Sequence, residues 1–198
     1  VRPDLAIIAD LVAPGARVLD LGCGDGELLA HLKRSKGVNG YGLEIDPDKI
    51  TGCITVGVNV IEQDLDQGLT NFPSDSFDLV VMTDTLQSVR RPDVMLDEML
   101  RIGHECIVTF PNFAHWQCRL YLALRGKMPL AEHLPHRWYD TPNIHLCTFA
   151  DFEFLCREKG LRVIERFVVD TYFHNRPLIN RFPNLFGSTA FYHLGRPR

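Results

Sequence analysis

Apolar residues along this chain gather in short continuous runs, separated by stretches in which they recur every three or four positions. The run Arg17-Val18-Leu19-Asp20-Leu21 has the character of a strand buried on both faces. Similar runs at 40–45, 58–63, 77–82 and 105–110 predict four more strands. The stretches between them read as helices. Leu5, Ile8 and Leu11/Val12 share one face of a helix over 3–12, which Pro3 can open and Pro14-Gly15 ends. Leu28, Leu29 and Leu32 line a second helix that runs to Lys33, and Asp46-Pro47 supplies an N-cap and an N1 proline for a short third one. Over 92–102, Val94, Met95, Leu96, Met99 and Leu100 are available to a sheet. Strands alternating with helices predict an α/β fold on a doubly wound, mostly parallel sheet.

After residue 112 the pattern changes. Residues 113–125 have amphipathic helical spacing closed by Gly126. Residues 127–147 are rich in proline, histidine and aromatics and show no period, a long connection that reads as a functional loop or an ordered cover. Thr148-Phe149-Ala150-Asp151 is a capping-box start for a helix that runs to Lys159 and stops at Gly160. Runs at 163–169 and 189–194 predict a hairpin-like pair with a long excursion between its strands, bringing the sheet to seven strands with the last antiparallel. No repeat, low-complexity stretch or second domain shows. Residues 1–198 therefore read as a single domain, with 1–112 as a cofactor-binding core and 113–198 as a half facing substrate or partner.

Charge sharpens that division. Residues 1–112 carry 18 acidic and 9 basic side chains, whereas 113–198 carry 7 and 12, together with 15 of the 19 aromatics and six of the eight histidines. Those aromatics either form a contact surface or fill the core under the far edge of the sheet. The basic residues are dispersed rather than striped, which argues against nucleic acid. No run of 18 apolar residues suggests a membrane span, and Val1-Arg2-Pro3-Asp4 shows no signal peptide. Six scattered cysteines form no C-x-x-C pair, so reduced cytoplasmic thiols are the simple reading.

The strongest chemical signal lies at the end of the first strand, in Asp20-Leu21-Gly22-Cys23-Gly24-Asp25-Gly26. Glycines after a strand and before a helix allow positive φ and close approach of a ligand. A dinucleotide fingerprint would be G-x-G-x-x-G, but here the third glycine comes one residue early. Asp20 and Asp25 would be unfavourable beside a pyrophosphate and favourable beside the ammonium and sulfonium of S-adenosylmethionine (SAM). The charge logic selects SAM over NAD, with S-adenosylhomocysteine as the other form the site could hold; the bland alternative is a tight turn that needs glycines. Glu44, 18 residues past Gly26 at the end of the second strand, can accept from both ribose hydroxyls, or be a solvated strand-end acid. Asp64, after the third strand, can read the adenine edge with its carboxylate or backbone amide, or cap the next turn. Asp20, Gly22, Cys23, Gly24, Gly26, Glu44, Ile45, Asp64, Leu65 and Thr83 make up the candidate cofactor site.

No catalytic residue stands out. Gln87 and Ser88, after the fourth strand, could orient a substrate but are weak bases, and Asp84 there reads first as a helix-capping acid. The histidines of His133-Leu134-Pro135-His136 and His145 do not match a zinc spacing, so no metal is expected. With its tryptophan, tyrosine and arginine, that segment suits a substrate lid or a protein contact. There is neither a P-loop nor a G-x-S-x-G nucleophile elbow.

Over nearly its whole length the chain resembles the MetW family of bacterial methionine biosynthesis proteins. The general part of the resemblance is the methyltransferase core: Val18 to Gly26, Gly42-Leu43-Glu44-Ile45-Asp46 and Phe77-Asp78-Leu79-Val80. The diagnostic part is Thr85-Leu86-Gln87, Phe110-Pro111-Asn112-Phe113 with Trp116, Gly126-Lys127-Met128-Pro129, and Trp138-Tyr139-Asp140-Thr141-Pro142-Asn143-Ile144-His145. The resemblance implies a class I SAM-methyltransferase fold, Rossmann-like. It also implies a role beside a homoserine O-acyltransferase, whose activity requires it and which would carry the acyl chemistry. No methyl acceptor follows from it, and a genuine SAM-dependent methyltransferase of a small molecule stays open.

Overall fold

A computed structural model describes residues 3–169 and 177–196. Part of the expected excursion, residues 170–176, lies outside that range, as do Val1 and Arg2 of the N-terminal reading. The elements in chain order are α1 (Pro3–Leu11), β1 (Arg17–Leu21), α2 (Glu27–Lys36), β2 (Asn39–Glu44), α3 (Pro47–Thr55), β3 (Asn59–Glu62), β4 (Phe77–Met82), α4 (Pro92–Ile102), β5 (Gly103–Pro111), α5 (Trp116–Arg125), α6 (Phe149–Glu158), β6 (Arg162–Val169), α7 (Pro177–Arg181), α8 (Pro183–Phe186) and β7 (Thr189–Gly195). Short 3-10 turns occupy Leu65–Gln67 and Leu86–Ser88. Expected caps are in place: Asp46 accepts from the Asp48 amide at the start of α3, and Thr148 from the Asp151 amide at the start of α6.

The strands form one seven-stranded sheet in the order β3-β2-β1-β4-β5-β7-β6. The first five are parallel, and β7 runs antiparallel to both β5 and β6. The expected hairpin-like pair is therefore real, but β7 inserts between β5 and β6 and leaves β6 at the edge. That edge is largely exposed, charged at Arg162, Glu165 and Arg166, and irregular between Val163 and Glu165, all of which discourage further strand pairing.

Alternation along the strands divides the core. Leu19, Leu21, Val80, Met82, Val108 and Phe110 face one layer, which includes α4 and α6. Val18, Leu79, Val81 and Ile107 face the other, which includes α1 and α2. Asp20 shares the second face with Val18, an acid at a core position. The aromatics of the second half divide between core and surface. Phe110, Phe149, Phe152 and Tyr192 interlock beneath the far side of the sheet, with centroid separations from 4.7 to 6.3 Å. Trp116, Trp138 and Tyr139 instead face solvent.

Candidate functional site

β1 runs out into the glycine loop. Gly22, Gly24 and Gly26 all have positive φ, at 73°, 56° and 78°, in a region that L side chains avoid. Gly22 must also lack a side chain for packing reasons, since a Cβ there would sit 2.6 Å from Thr85 Oγ1. A Cβ on Gly24 would meet nothing within 4 Å, so this glycine borders open space.

Backbone and thiol contacts hold the loop from beneath. The amides of Gly22 and Cys23 both donate to the Leu43 carbonyl, at 2.8 and 3.0 Å. Cys53, from α3, donates its thiol to the Gly24 carbonyl at 3.0 Å and lies 3.6 Å from the Cys23 sulfur. Cys23 is buried, and that burial pushes its thiol pKa up. Its side chain packs so closely on Gly42 that a Cβ there would lie 2.3 Å from the sulfur. Any cofactor contact at Cys23 is therefore left to its backbone.

Because β3, β2, β1 and β4 are parallel neighbours, their carboxyl ends line up along one edge of the sheet beside the switch point between β1 and β4, where open sheets of this kind form their ligand crevice. Glu44 is buried there, its Oε2 accepting from the Gly24 amide at 2.9 Å and its Oε1 from the amides of Ile45 and Asp46 at 2.9 and 3.1 Å. A carboxylate offers about four acceptor sites, so the open one is on Oε2. Bonding both ribose hydroxyls at once requires the Gly24 amide to give way. The Gln63 amide donates to the Glu44 carbonyl, which brings the β3 exit alongside. Asp64 Oδ1 accepts from the Asp66 amide at 2.9 Å, capping the turn that Leu65 opens. Ile45 is 58% exposed, an unusual state for an isoleucine and a ready face for a flat ring. Thr83 Oγ1, past the end of β4, is buried with no partner.

Asp20 is the least comfortable group in the crevice. It is 2% exposed, and its Oδ1 has no hydrogen-bond partner. Burial first, and the charge of Glu44 second, push its pKa up to about 7. An orphaned buried carboxyl is costly unless a donor or cation completes it. The residues therefore fit a positively charged ligand.

The loop after β4 links this crevice to the second half of the chain. Asp84 has φ 48° and donates its amide to Thr109 Oγ1 at 3.0 Å. The sequence reading made Asp84 the cap of the next turn, but the N-cap position belongs to Thr85, which makes no side-chain capping bond. The Gln87 carbonyl accepts from the amides of Ile144 and His145, both at 3.0 Å. Residues 127–147, a strap with no helix or strand, are thereby pinned over a cavity of about 430 Å³. Asp84, Gln87, Glu132, His133, His136 and Asn143 are among its walls. Gln87 is 5% exposed, and its Oε1 has no partner. The ring of His133, in the strap, meets that of His115 edge-on at 5.1 Å. Burial, with His133 second, drives the His115 pKa down to about 4. Among the described residues no three His, Cys, Asp or Glu side chains are grouped to hold a metal ion.

Three residues have roles that the sequence does not reveal. Thr85, there only part of a diagnostic segment, acts by shape, and Cys53 acts by one thiol bond without a local signature. Asn112 is fully buried, bonds the carbonyls of Gly187 and Asn184 through Nδ2 at 2.7 and 3.3 Å, and accepts from the Ala114 amide at 3.0 Å. Its place in Phe110-Pro111-Asn112-Phe113 was visible, but its role as a clasp was not.

Comparison with known proteins bears on the family and the fold. The sequence family described as methionine biosynthesis protein MetW matches residues 2–194. A bifunctional methionine biosynthesis protein MetXA/MetW of Rhodopirellula baltica is 34% identical over 192 residues, 92% of this chain and 31% of that protein. The chain thus spans about a third of that relative's length. A ubiquinone/menaquinone biosynthesis C-methyltransferase UbiE of Stenotrophomonas maltophilia is 34% identical over 101 residues, 46% of this chain and 39% of that protein. Among solved structures, a SAM-dependent methyltransferase of Mesorhizobium loti superposes with a TM-score of 0.71 at 17% identity, covering 98% of each chain. That likeness shows the fold, a class I SAM-methyltransferase sheet of Rossmann type.

Proposed function

Because the chain belongs to the MetW family of methionine biosynthesis proteins, we propose that it binds SAM, or S-adenosylhomocysteine, in the glycine-loop crevice and acts in the cytoplasm with a homoserine O-acyltransferase, raising that enzyme's activity. The chain works as one domain, with 1–112 holding the cofactor and 113–198 meeting the partner. The observation that carries the partnership is the Rhodopirellula baltica relative, whose name joins MetXA to MetW in one polypeptide. Linkage on one chain keeps two units at high effective concentration.

Each crevice residue has its own task. When bound, SAM supplies an electrophilic methyl group and a positive charge. Asp20 faces that charge, which completes its orphaned Oδ1. Glu44 takes a ribose hydroxyl on Oε2, preoriented by three backbone amides. Ile45 and Leu65 flank the adenine, and Asp64 reads its edge. Gly22, Cys23, Gly24, Gly26 and Thr83 frame the methionine end. Mixing the purified chain with the homoserine O-acyltransferase of the same genome should raise acyl-transfer turnover and yield a co-eluting complex. No association at micromolar concentration would overturn the partnership.

A second reading, a genuine methyltransferase of an unidentified small molecule, is favoured by the cavity beside Asp84 and Gln87. Positioning an acceptor next to the donor is the larger part of such catalysis, and it needs no dedicated base. Formation of S-adenosylhomocysteine from SAM in a cell extract would support this reading; its absence, with binding intact, would leave the regulatory one.

A further inference from the structure

The strap has two faces. One lines the cavity described above. The other is exposed, and its apolar residues are large: Trp138 is 74% and Tyr139 61% exposed, with Met128 and Leu130 also open to solvent. Isolated exposed apolar residues are ordinary, but a contiguous group of them is not. These four share a groove of about 700 Å³ between the end of α5 and the strap. Lys127 and Arg137 join the lining, and among the described residues no acidic one does.

The groove is also ordered in advance. The Trp138 and Tyr139 rings meet edge-on at 5.7 Å. Arg137 donates to the Tyr139 hydroxyl at 2.8 Å and lies 6.0 Å from the centre of its ring. Tryptophan, tyrosine and arginine are the residue types that most often dominate binding energy at protein interfaces. Holding them in a fixed cluster lowers the entropy lost on association. Two cations, with no acid among the described lining residues, favour an occupant that carries carboxylates beside its apolar residues.

We infer that the outer face of the strap, centred on Trp138 and Tyr139 with Lys127 and Arg137, docks an acidic and apolar surface segment of the homoserine O-acyltransferase. This rests on the partnership proposed above and adds to it the site and its chemistry.

The test uses the full-length chain and the acyltransferase of the same genome. Association is followed by calorimetry for the wild type, a Trp138→Ser/Tyr139→Ser double variant and Arg137→Glu. SAM affinity and melting temperature are measured alongside as controls for folding. The aromatic variant should bind the acyltransferase roughly 30-fold or more weakly, the scale of a lost hot spot, with SAM affinity and melting unchanged. Arg137→Glu should weaken association, and added salt should weaken wild-type binding while affecting the variant less. A wild type that binds and activates, with variants that do the same equally well, would overturn the assigned surface and leave the partnership standing. A wild type that never binds the acyltransferase would overturn the partnership and the surface with it. Self-association of the wild type that the aromatic variant abolishes, with acyltransferase binding untouched, would assign the groove to a second copy and overturn the inference.

Discussion

The two halves of this chain manage exposure and charge in opposite ways. In residues 1–112 the acids that matter are buried: Asp20 and Glu44 sit 2% and 7% exposed at the ends of neighbouring parallel strands. In residues 113–198 it is the aromatics that are out of place, with Trp138 and Tyr139 in water above a strap without helix or strand. Buried charge and exposed aromatic surface are both costly departures, and both mark places built for something that arrives later. On the proposed reading, the first half receives a small cation and the second a protein surface. Among the contacts between them, the Gln87 carbonyl accepts from Ile144 and His145, where two of the diagnostic segments meet.

The largest effect is expected from breaking the first half alone. Gly22→Val places a branched side chain against Thr85 and forces a φ of 73° on it, a strain of about 1–3 kcal/mol before the clash is counted. SAM binding should fall by roughly a hundred-fold or more, as read by calorimetry, while association with the acyltransferase persists. Loss of both would show that the halves do not act separately.

Glu44→Gln comes next. It keeps an acceptor for some of the three backbone amides but removes the charge, so it is a gentler probe than Glu44→Ala, which would strand all three. Losing a hydrogen bond to a charged group costs about 1.5–3 kcal/mol, a roughly ten- to hundred-fold loss of SAM affinity. An unchanged dissociation constant would misplace the ribose contact.

Asp20 gives a pH signature. In the free chain its carboxyl keeps its proton up to about pH 7, well above its ordinary value of 3.8. Its contribution to stability is therefore present at low pH and lost as pH rises through about 7. A bound cation favours the ionised form, so SAM affinity should rise with pH toward about 7, by up to roughly tenfold per unit. Asp20→Asn should flatten that slope; a wild-type profile that is already flat would show that Asp20 does not meet the charge.

The smallest effect belongs to the second half. His115 stays neutral in the fold down to about pH 4, against an ordinary value of 6.5. The unfolded chain takes up that proton first, so stability is full above about 6.5 and declines as pH falls toward about 4. Both tryptophans lie in this half, and the Trp116 ring is 6.0 Å from that of His115. Thermal melts followed by tryptophan fluorescence should show the decline, and His115→Gln should reduce it.

What was legible in the sequence follows the same boundary. In the first half, hydrophobic runs, caps and glycines act locally, so α4 was read with its observed bounds and the glycine loop lay where expected. The second half depends on contacts between residues far apart in sequence. The insertion of β7 between β5 and β6, the Asn112 clasp across to Gly187, and the division of aromatics between core and surface are decided by pairing that no local pattern encodes. In the site, glycine spacing and carboxylates pointed to the crevice. The capping bond of Asp64 is local and was one of its two sequence readings, whereas the three amides on Glu44 depend on how the strand exits pack, which composition does not reveal.

The central claim is that the crevice at Asp20 to Gly26 receives SAM. Calorimetric titration of the purified chain with SAM tests it most directly. The account predicts saturable binding of one SAM per chain, weakened in Glu44→Gln; a well-folded chain that releases no heat and shows no thermal shift with SAM would contradict it.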